Sequence, residues 1–218
     1  MWICKTHYPL EILPAKVDIE QEGSVAVVIV RSFYTMAESY FYQQSTLTHN
    51  RIQTVNIASE YPDLWAKYTN SVVQFTEKFV DFWQKVWNER GIPVIFVRYE
   101  DAVRDKATYL REFYSFAYGV ESIEGTYLDQ RIIREVEKEN FAKSYALKTG
   151  KRMGMEAYSE ELRDRFDEVI GHQNEFFGYT RDGKVLGGEH PFHEWNKKVK
   201  AAYIQNKAEY DKQIIKIN

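Results

Sequence analysis

The chain has 218 residues and a formal net charge of −3, and its apolar and charged fractions, 44% and 28%, are those of an ordinary globular protein. This length suits one domain with a sizeable core, the small net charge gives no reason to expect nucleic-acid binding, and no apolar run is long enough to predict a membrane span. The one cysteine, Cys4, excludes an internal disulfide, as is usual in a reducing compartment. The first residues do not have the pattern of a signal peptide, so we expect a cytoplasmic protein.

Two β-branched runs predict strands that are buried on both faces. They are SVAVVIV at residues 24–30 and IPVIFVRY at residues 92–99, and WIC at residues 2–4 could be a third, short strand. After Pro62, apolar residues recur every three or four positions and predict a long helix that Gly91 ends. A strand, a helical crossover and another strand predict an α/β fold with parallel strands.

The remaining segments are predicted to be mostly helical. One predicted helix begins at Phe33 and a second ends at Gly119. A third covers residues 126–143, and a fourth runs from a Ser159 cap to Gly178. The last 25 residues form a lysine-rich amphipathic helix or tail. We therefore expect one domain over residues 1–183 and a C-terminal helical extension over residues 184–218.

Three basic clusters lie at the boundaries of these elements. They are KTHYP near the start, Arg31 directly after a strand with Ser39 eight residues on, and KTGKR at residues 148–152. In open α/β sheets the ligand site lies beyond the carboxyl ends of the strands, and an arginine, a hydroxyl and a helix start suit a phosphate group. Each cluster alone is more often a solvated surface charge than a ligand, so only their order and spacing together indicate a site.

In that order, the clusters resemble motifs of the cytosolic-type sulfotransferase family, whose cofactor is 3′-phosphoadenosine 5′-phosphosulfate. KTHYPLEILP resembles the family's Lys-Thr-His-hydrophobic-Pro strand, and VVIVRSFYTMAESYFY resembles its phosphate-binding segment with an Arg-x7-Ser spacing. VIFVRYEDAVRD resembles its Tyr-Glu-Asp strand end, and KTGKRMGMEAYSEEL resembles the basic loop of more distant members. The resemblance covers roughly residues 3–180 and implies a three-layer fold, a parallel sheet flanked by helices and similar to the P-loop nucleoside triphosphatases.

The same resemblance implies a role for each matching residue. His7 would be the general base that takes the proton of a small-molecule acceptor, and Lys5 would stabilise charge on the transferring sulfuryl group. The residues implied to bind the cofactor are Arg31, Ser39, Tyr99, Phe141, Lys151 and Arg152. Glu100 and Asp101 are interpreted as structural or capping groups. No histidine or cysteine cluster has metal-ligand spacing, so no metal is expected.

The chain departs from the family pattern at its start. The family's Pro-Lys-Ser-Gly-Thr-Thr-type loop should precede the KTHYP motif by several tens of residues, whereas four residues precede Lys5. We therefore expect an N-terminally incomplete sulfotransferase that lacks its first strand, phosphosulfate loop and first helix and is inactive as it stands. The alternative is a non-catalytic binding or scaffold module with the same fold. A nucleotide kinase has no support, because no Gly-x4-Gly-Lys-Ser/Thr motif occurs.

Overall fold

The computed structural model describes residues 24–46, 56–138 and 153–217, with side chains described as far as residue 209. Two strands and eight α-helices make up this part of the chain. In chain order they are β1 (Ala26–Val30), α1 (Phe33–Thr46), α2 (Ile57–Glu60), α3 (Pro62–Arg90), β2 (Val94–Arg98), α4 (Tyr99–Arg104), α5 (Lys106–Tyr118), α6 (Tyr127–Glu137), α7 (Glu160–Phe177) and α8 (Pro191–Ile217). A short 3₁₀ helix (Met155–Ala157) precedes α7.

The two strands form a parallel pair, in which Val28 lies beside Phe96 and Val30 beside Arg98. This confirms an α/β chain that is mostly helical, with a two-stranded parallel sheet in the described residues. The predicted third strand at residues 2–4 lies outside those residues. The three-layer sulfotransferase arrangement therefore stays a prediction.

The crossover between the strands is the long helix α3, as predicted. It begins at Pro62 and ends at Gly91, which has a φ of +68° and closes the last turn. One apolar face of the helix covers one face of the sheet. The buried side chains of this cluster are Val28, Val30, Val80, Trp83, Val86, Val94, Phe96, Phe177, Tyr179 and Phe192.

A second buried cluster joins α1, α3 and α7, and it is strongly aromatic. Trp65 is 1% exposed, and its indole nitrogen donates to the Ala157 carbonyl over 2.9 Å. The Phe33 and Phe166 rings meet edge to face with centroids 4.8 Å apart. Because these rings fill the core, we count them as packing groups and not as lining of a substrate pocket.

Two predicted boundaries differ from the structure. Tyr99 is the first residue of α4, not the last residue of a strand, and the acidic Glu100 and Asp101 suit the first turn of that helix. The helix predicted over residues 126–143 ends at Glu137, because Lys138 is extended. Its start is as expected, since the Thr126 hydroxyl caps the helix by accepting from the Asp129 amide.

Helix α8 covers the outer edge of β2. The Asn196 side chain accepts from the Phe96 amide over 2.8 Å and donates to the Phe96 carbonyl over 2.7 Å, as a neighbouring strand would. The Trp195 indole donates to the Val94 carbonyl, and Val199 is fully buried. The predicted boundary between residues 183 and 184 stays a prediction, but the helix beyond it shares the core with the strands.

Asn196→Leu is expected to lower the free energy of unfolding by about 2 kcal/mol, because it leaves both backbone groups of Phe96 without partners. Urea denaturation measures the loss. Asn206→Leu is the matched control, since it changes an exposed asparagine of the same helix and should cost less than about 0.5 kcal/mol. Equal losses in the two variants would show that the edge contact does not stabilise the fold.

The start of α8 should make stability depend on pH. The Nδ1 atom of His193 accepts from the His190 amide over 2.9 Å, which a protonated nitrogen cannot do. Burial lowers the pKa of His193 below its ordinary value of 6.5, and the nearby Arg98 guanidinium lowers it further, against the opposing effect of Glu189. The unfolded chain then binds the proton at higher pH than the folded chain, so stability falls as pH drops through 6.5.

The melting temperature of wild type is therefore expected to fall between pH 7.5 and pH 5.5. His193→Gln keeps an acceptor for the His190 amide and cannot take up a proton, so it should show a shallower fall. Parallel pH curves for the two proteins would exclude His193 as the source.

Candidate functional site

Two of the sequence-predicted site residues meet at the carboxyl ends of the strands. Arg31 follows β1 and Tyr99 follows β2, and the pairing of Val30 with Arg98 brings them side by side. The Arg31 guanidinium lies over the Tyr99 ring, 4.7 Å from its centroid. Both side chains are partly exposed. A cation and an aromatic ring thus stand together at the sheet edge where α/β proteins bind ligands.

Glu100 links the ends of the two strands. One carboxylate oxygen accepts from the backbone amide of Ser32 over 3.1 Å, and the other accepts from the Tyr179 hydroxyl over 2.8 Å. Burial and the adjacent Glu100 carboxylate raise the pKa of Tyr179 far above its usual range. The phenol therefore stays protonated and donates to Glu100 at any ordinary pH.

Arg98, the last residue of β2, is only 3% exposed and holds the segment after α7 in place. Its Nη1 atom donates to the carbonyls of Phe177 and Leu186 over 3.0 and 3.2 Å, and it is 3.4 Å from that of Gly178. Its Nε atom donates to Asp101 over 2.5 Å. The buried charge is therefore balanced by a carboxylate and several carbonyl dipoles.

The turn after α7 packs on the junction of β1 and α1. Gly183 has a φ of +71°, and a Cβ atom there would lie 2.3 Å from the Ser32 Oγ atom and 2.7 Å from the Tyr34 ring. A side chain at this position would therefore be both strained and obstructed. The turn thus supports the chain directly behind Arg31.

Ser39 is the seventh residue of α1, and its side chain is exposed. It lies about 9 Å along the helix axis from Phe33. It is therefore beyond the first turn, whose amides would bind a phosphate at the helix start. Its neighbour Glu38 is buried and accepts from the Met153 amide over 2.8 Å. Met153, the first described residue after the basic KTGKR segment, is therefore held to α1 beside Ser39.

The other predicted site residues lie outside the described part of the chain. They are Lys5, His7, Phe141, Lys151 and Arg152. Their roles stay predictions.

Across residues 24–46, 56–138 and 153–217, no group of three or more His, Cys, Asp or Glu side chains could hold a metal ion. In the same ranges, no helix is long and apolar enough to cross a membrane. A cavity of about 450 Å³ lies between the starts of α3 and α7, with Trp65, Asn70 and Arg165 in its lining. Its lining includes neither Arg31 nor Tyr99, so it is separate from the strand-end site.

Sequence reasoning missed the long-range partners of the site. The interpretation of Glu100 and Asp101 as structural groups agrees with their contacts. Arg98 is not among the predicted site residues, although a charge inside the apolar run IPVIFVRY indicates a buried, paired arginine. Nothing in the local sequence identifies Tyr179 as the partner of a residue 79 positions earlier.

Comparisons with protein-family models, with curated proteins and with solved structures gave no match to this chain. The sulfotransferase resemblance therefore stays a prediction that rests on the motifs and their placement.

Proposed function

We propose that this chain belongs to the sulfotransferases, enzymes that move a sulfuryl group from 3′-phosphoadenosine 5′-phosphosulfate to a hydroxyl or amine of a small acceptor. The observation that carries the proposal is the meeting of Arg31 and Tyr99 at the carboxyl ends of two parallel strands. The motifs that supply these residues are the Arg-x7-Ser and Tyr-Glu-Asp segments, in the order that the family has them.

The described residues suit the nucleotide end of that cofactor. A guanidinium can donate two parallel hydrogen bonds to a phosphate, so Arg31 would hold the 3′-phosphate with help from the exposed Ser39 hydroxyl. Tyr99 would contact the adenine. Lys151 and Arg152 would add positive charge, and the next residue along the chain, Met153, donates to Glu38 of α1.

The cofactor itself supplies an activated sulfuryl group with a good leaving group. His7 would accept the proton of the acceptor, because an imidazole titrates near neutral pH. Lys5 would stabilise the negative charge that develops during transfer. Turnover would also need a loop around the 5′-phosphosulfate, and the sequence contains no Pro-Lys-Ser-Gly-Thr-Thr-type segment. We therefore expect nucleotide binding by this chain and little or no transfer.

A non-catalytic nucleotide-binding module is the second candidate, and the lack of a Pro-Lys-Ser-Gly-Thr-Thr-type segment in the sequence favours it. The carboxylates beside the site are engaged by donors, Glu100 by Ser32 and Tyr179, and Asp101 by Arg98 and Arg104. These contacts are compatible with both candidates, because the enzyme would use His7, which lies outside the described residues, as its base. Both candidates require the nucleotide site, and sulfuryl transfer to simple phenols or amines would favour the enzyme.

Isothermal titration of the full chain with adenosine 3′,5′-bisphosphate, the expected product, tests the proposal at low ionic strength. A saturable one-to-one isotherm is expected. No binding at nucleotide concentrations up to about 1 mM would overturn the proposed function. A Kd of that size corresponds to a binding free energy of about −4 kcal/mol.

A further inference from the structure

We propose that Glu100 is a positioning residue that, braced by Tyr179, holds Arg31 in place for the nucleotide. The ligand in this inference rests on the proposed function. The contacts of Glu100 with Ser32 and Tyr179, called the brace below, do not rest on it, because they lie within the chain.

Arg31 lies just beyond the end of the strand ladder. Parallel pairing of β1 and β2 stops at Val30 and Arg98, so Arg31 and Tyr99 lie beyond the last pair. The Glu100 carboxylate accepts from the Ser32 amide, whose nitrogen belongs to the peptide bond that leaves Arg31. A side chain thus replaces the next link between the strands and fixes the backbone on the far side of Arg31.

Tyr179 in turn fixes the side chain of Glu100. A glutamate has three rotatable side-chain bonds, and a single hydrogen bond would leave it several rotamers. The Tyr179 hydroxyl binds the second carboxylate oxygen and selects one of them. Tyr179 follows the end of α7, where Arg98 fixes the carbonyls of Phe177 and Gly178, so the brace has a rigid base.

Glu100, held by Tyr179, fixes the position of Arg31 relative to Tyr99. The guanidinium lies 4.7 Å from the Tyr99 centroid, and Tyr99 is the residue directly before Glu100. One carboxylate therefore fixes both partners of this cation–π pair, Tyr99 through the chain and Arg31 through the Ser32 amide. Each carboxylate oxygen accepts one hydrogen bond from the chain, and an ionised carboxylate has no donor to offer a phosphate, so Glu100 acts through Arg31.

Three variants of the full chain test the inference. Glu100→Leu removes both hydrogen bonds. Glu100→Gln keeps them, since its carbonyl can accept from Ser32 and its amide can donate to the Tyr179 oxygen. Tyr179→Phe removes the Tyr179 hydrogen bond alone. Asp129→Leu is the matched control, because Asp129 is a buried carboxylate on α6 that also binds one backbone amide and one side chain.

Two readouts are measured, the Kd for adenosine 3′,5′-bisphosphate and the NMR shift of the Arg31 Nε–H, assigned by its loss in Arg31→Lys. Glu100→Leu is expected to weaken binding about 10-fold or more and to remove the ring-current shift that Tyr99 causes. Glu100→Gln should restore the Kd to within about 3-fold of wild type and should restore the Arg31 shift. Tyr179→Phe should lie between Glu100→Leu and Glu100→Gln in both readouts. Asp129→Leu should lose stability and keep both readouts.

Wild-type Kd and an unmoved Arg31 signal in Glu100→Leu would overturn the inference. If Glu100→Leu does not fold, Tyr179→Phe decides in the same way. If wild type does not bind the nucleotide, the proposed function fails and the Arg31 signal alone judges the brace. In that case a shift in Glu100→Leu that Glu100→Gln restores supports the positioning role, and an unmoved signal overturns it.

Discussion

Arg98→Met is expected to lower the free energy of unfolding by about 3 kcal/mol. The variant keeps the volume of the buried stem and removes the donors that reach Phe177, Leu186 and Asp101. Carbonyl oxygens buried without a donor retain their full desolvation penalty. Urea denaturation with a fixed m-value measures the change.

Arg104→Met is the control for this prediction, because Arg104 binds the same Asp101 carboxylate from the surface. Its side chain is 71% exposed, against 3% for Arg98. An exposed ion pair contributes about 0–1 kcal/mol, so the control should be close to wild type. Equal losses in the two variants would show that burial of Arg98 does not matter.

Arg31→Ala is expected to weaken the binding of adenosine 3′,5′-bisphosphate about 100-fold, which is about 2.7 kcal/mol. The change removes the charged, two-pronged donor for a phosphate at the strand ends. Isothermal titration measures the Kd. Arg134→Ala removes an exposed arginine of α6 and the same formal charge, so it controls for the general electrostatic attraction of an anion. Similar losses in both variants would contradict a specific site at Arg31.

The elements that the sequence predicted best are those that have a strong local signal. The β-branched runs 24–30 and 92–99 contain β1 and β2, since such side chains suit a strand buried on both faces. Gly119 and Gly178 end α5 and α7 in left-handed conformations, as predicted. The Ser159 hydroxyl caps α7 by accepting from the Leu162 amide.

The site was predictable only in part, because its residues depend on contacts between distant segments. Arg31 and Tyr99 could be paired from the rule that parallel strands end at the same edge. The Asn196 side chain imitates a strand partner for Phe96, 100 positions earlier in the chain, and no local pattern reveals this. Glu100 and Tyr179 join in the same way. Such pairs follow from the tertiary fold, which local periodicity does not determine.

The proposed role of Arg31 is to recognise the 3′-phosphate of an adenine nucleotide. It is tested most directly by comparing adenosine 3′,5′-bisphosphate with 5′-AMP, which lacks that phosphate, on wild type and on Arg31→Ala. Wild type is expected to prefer the bisphosphate about 100-fold, the same factor that Arg31→Ala costs, and Arg31→Ala should lose that preference while it binds 5′-AMP as wild type does. An equal preference in both proteins, or none in wild type, would contradict this role.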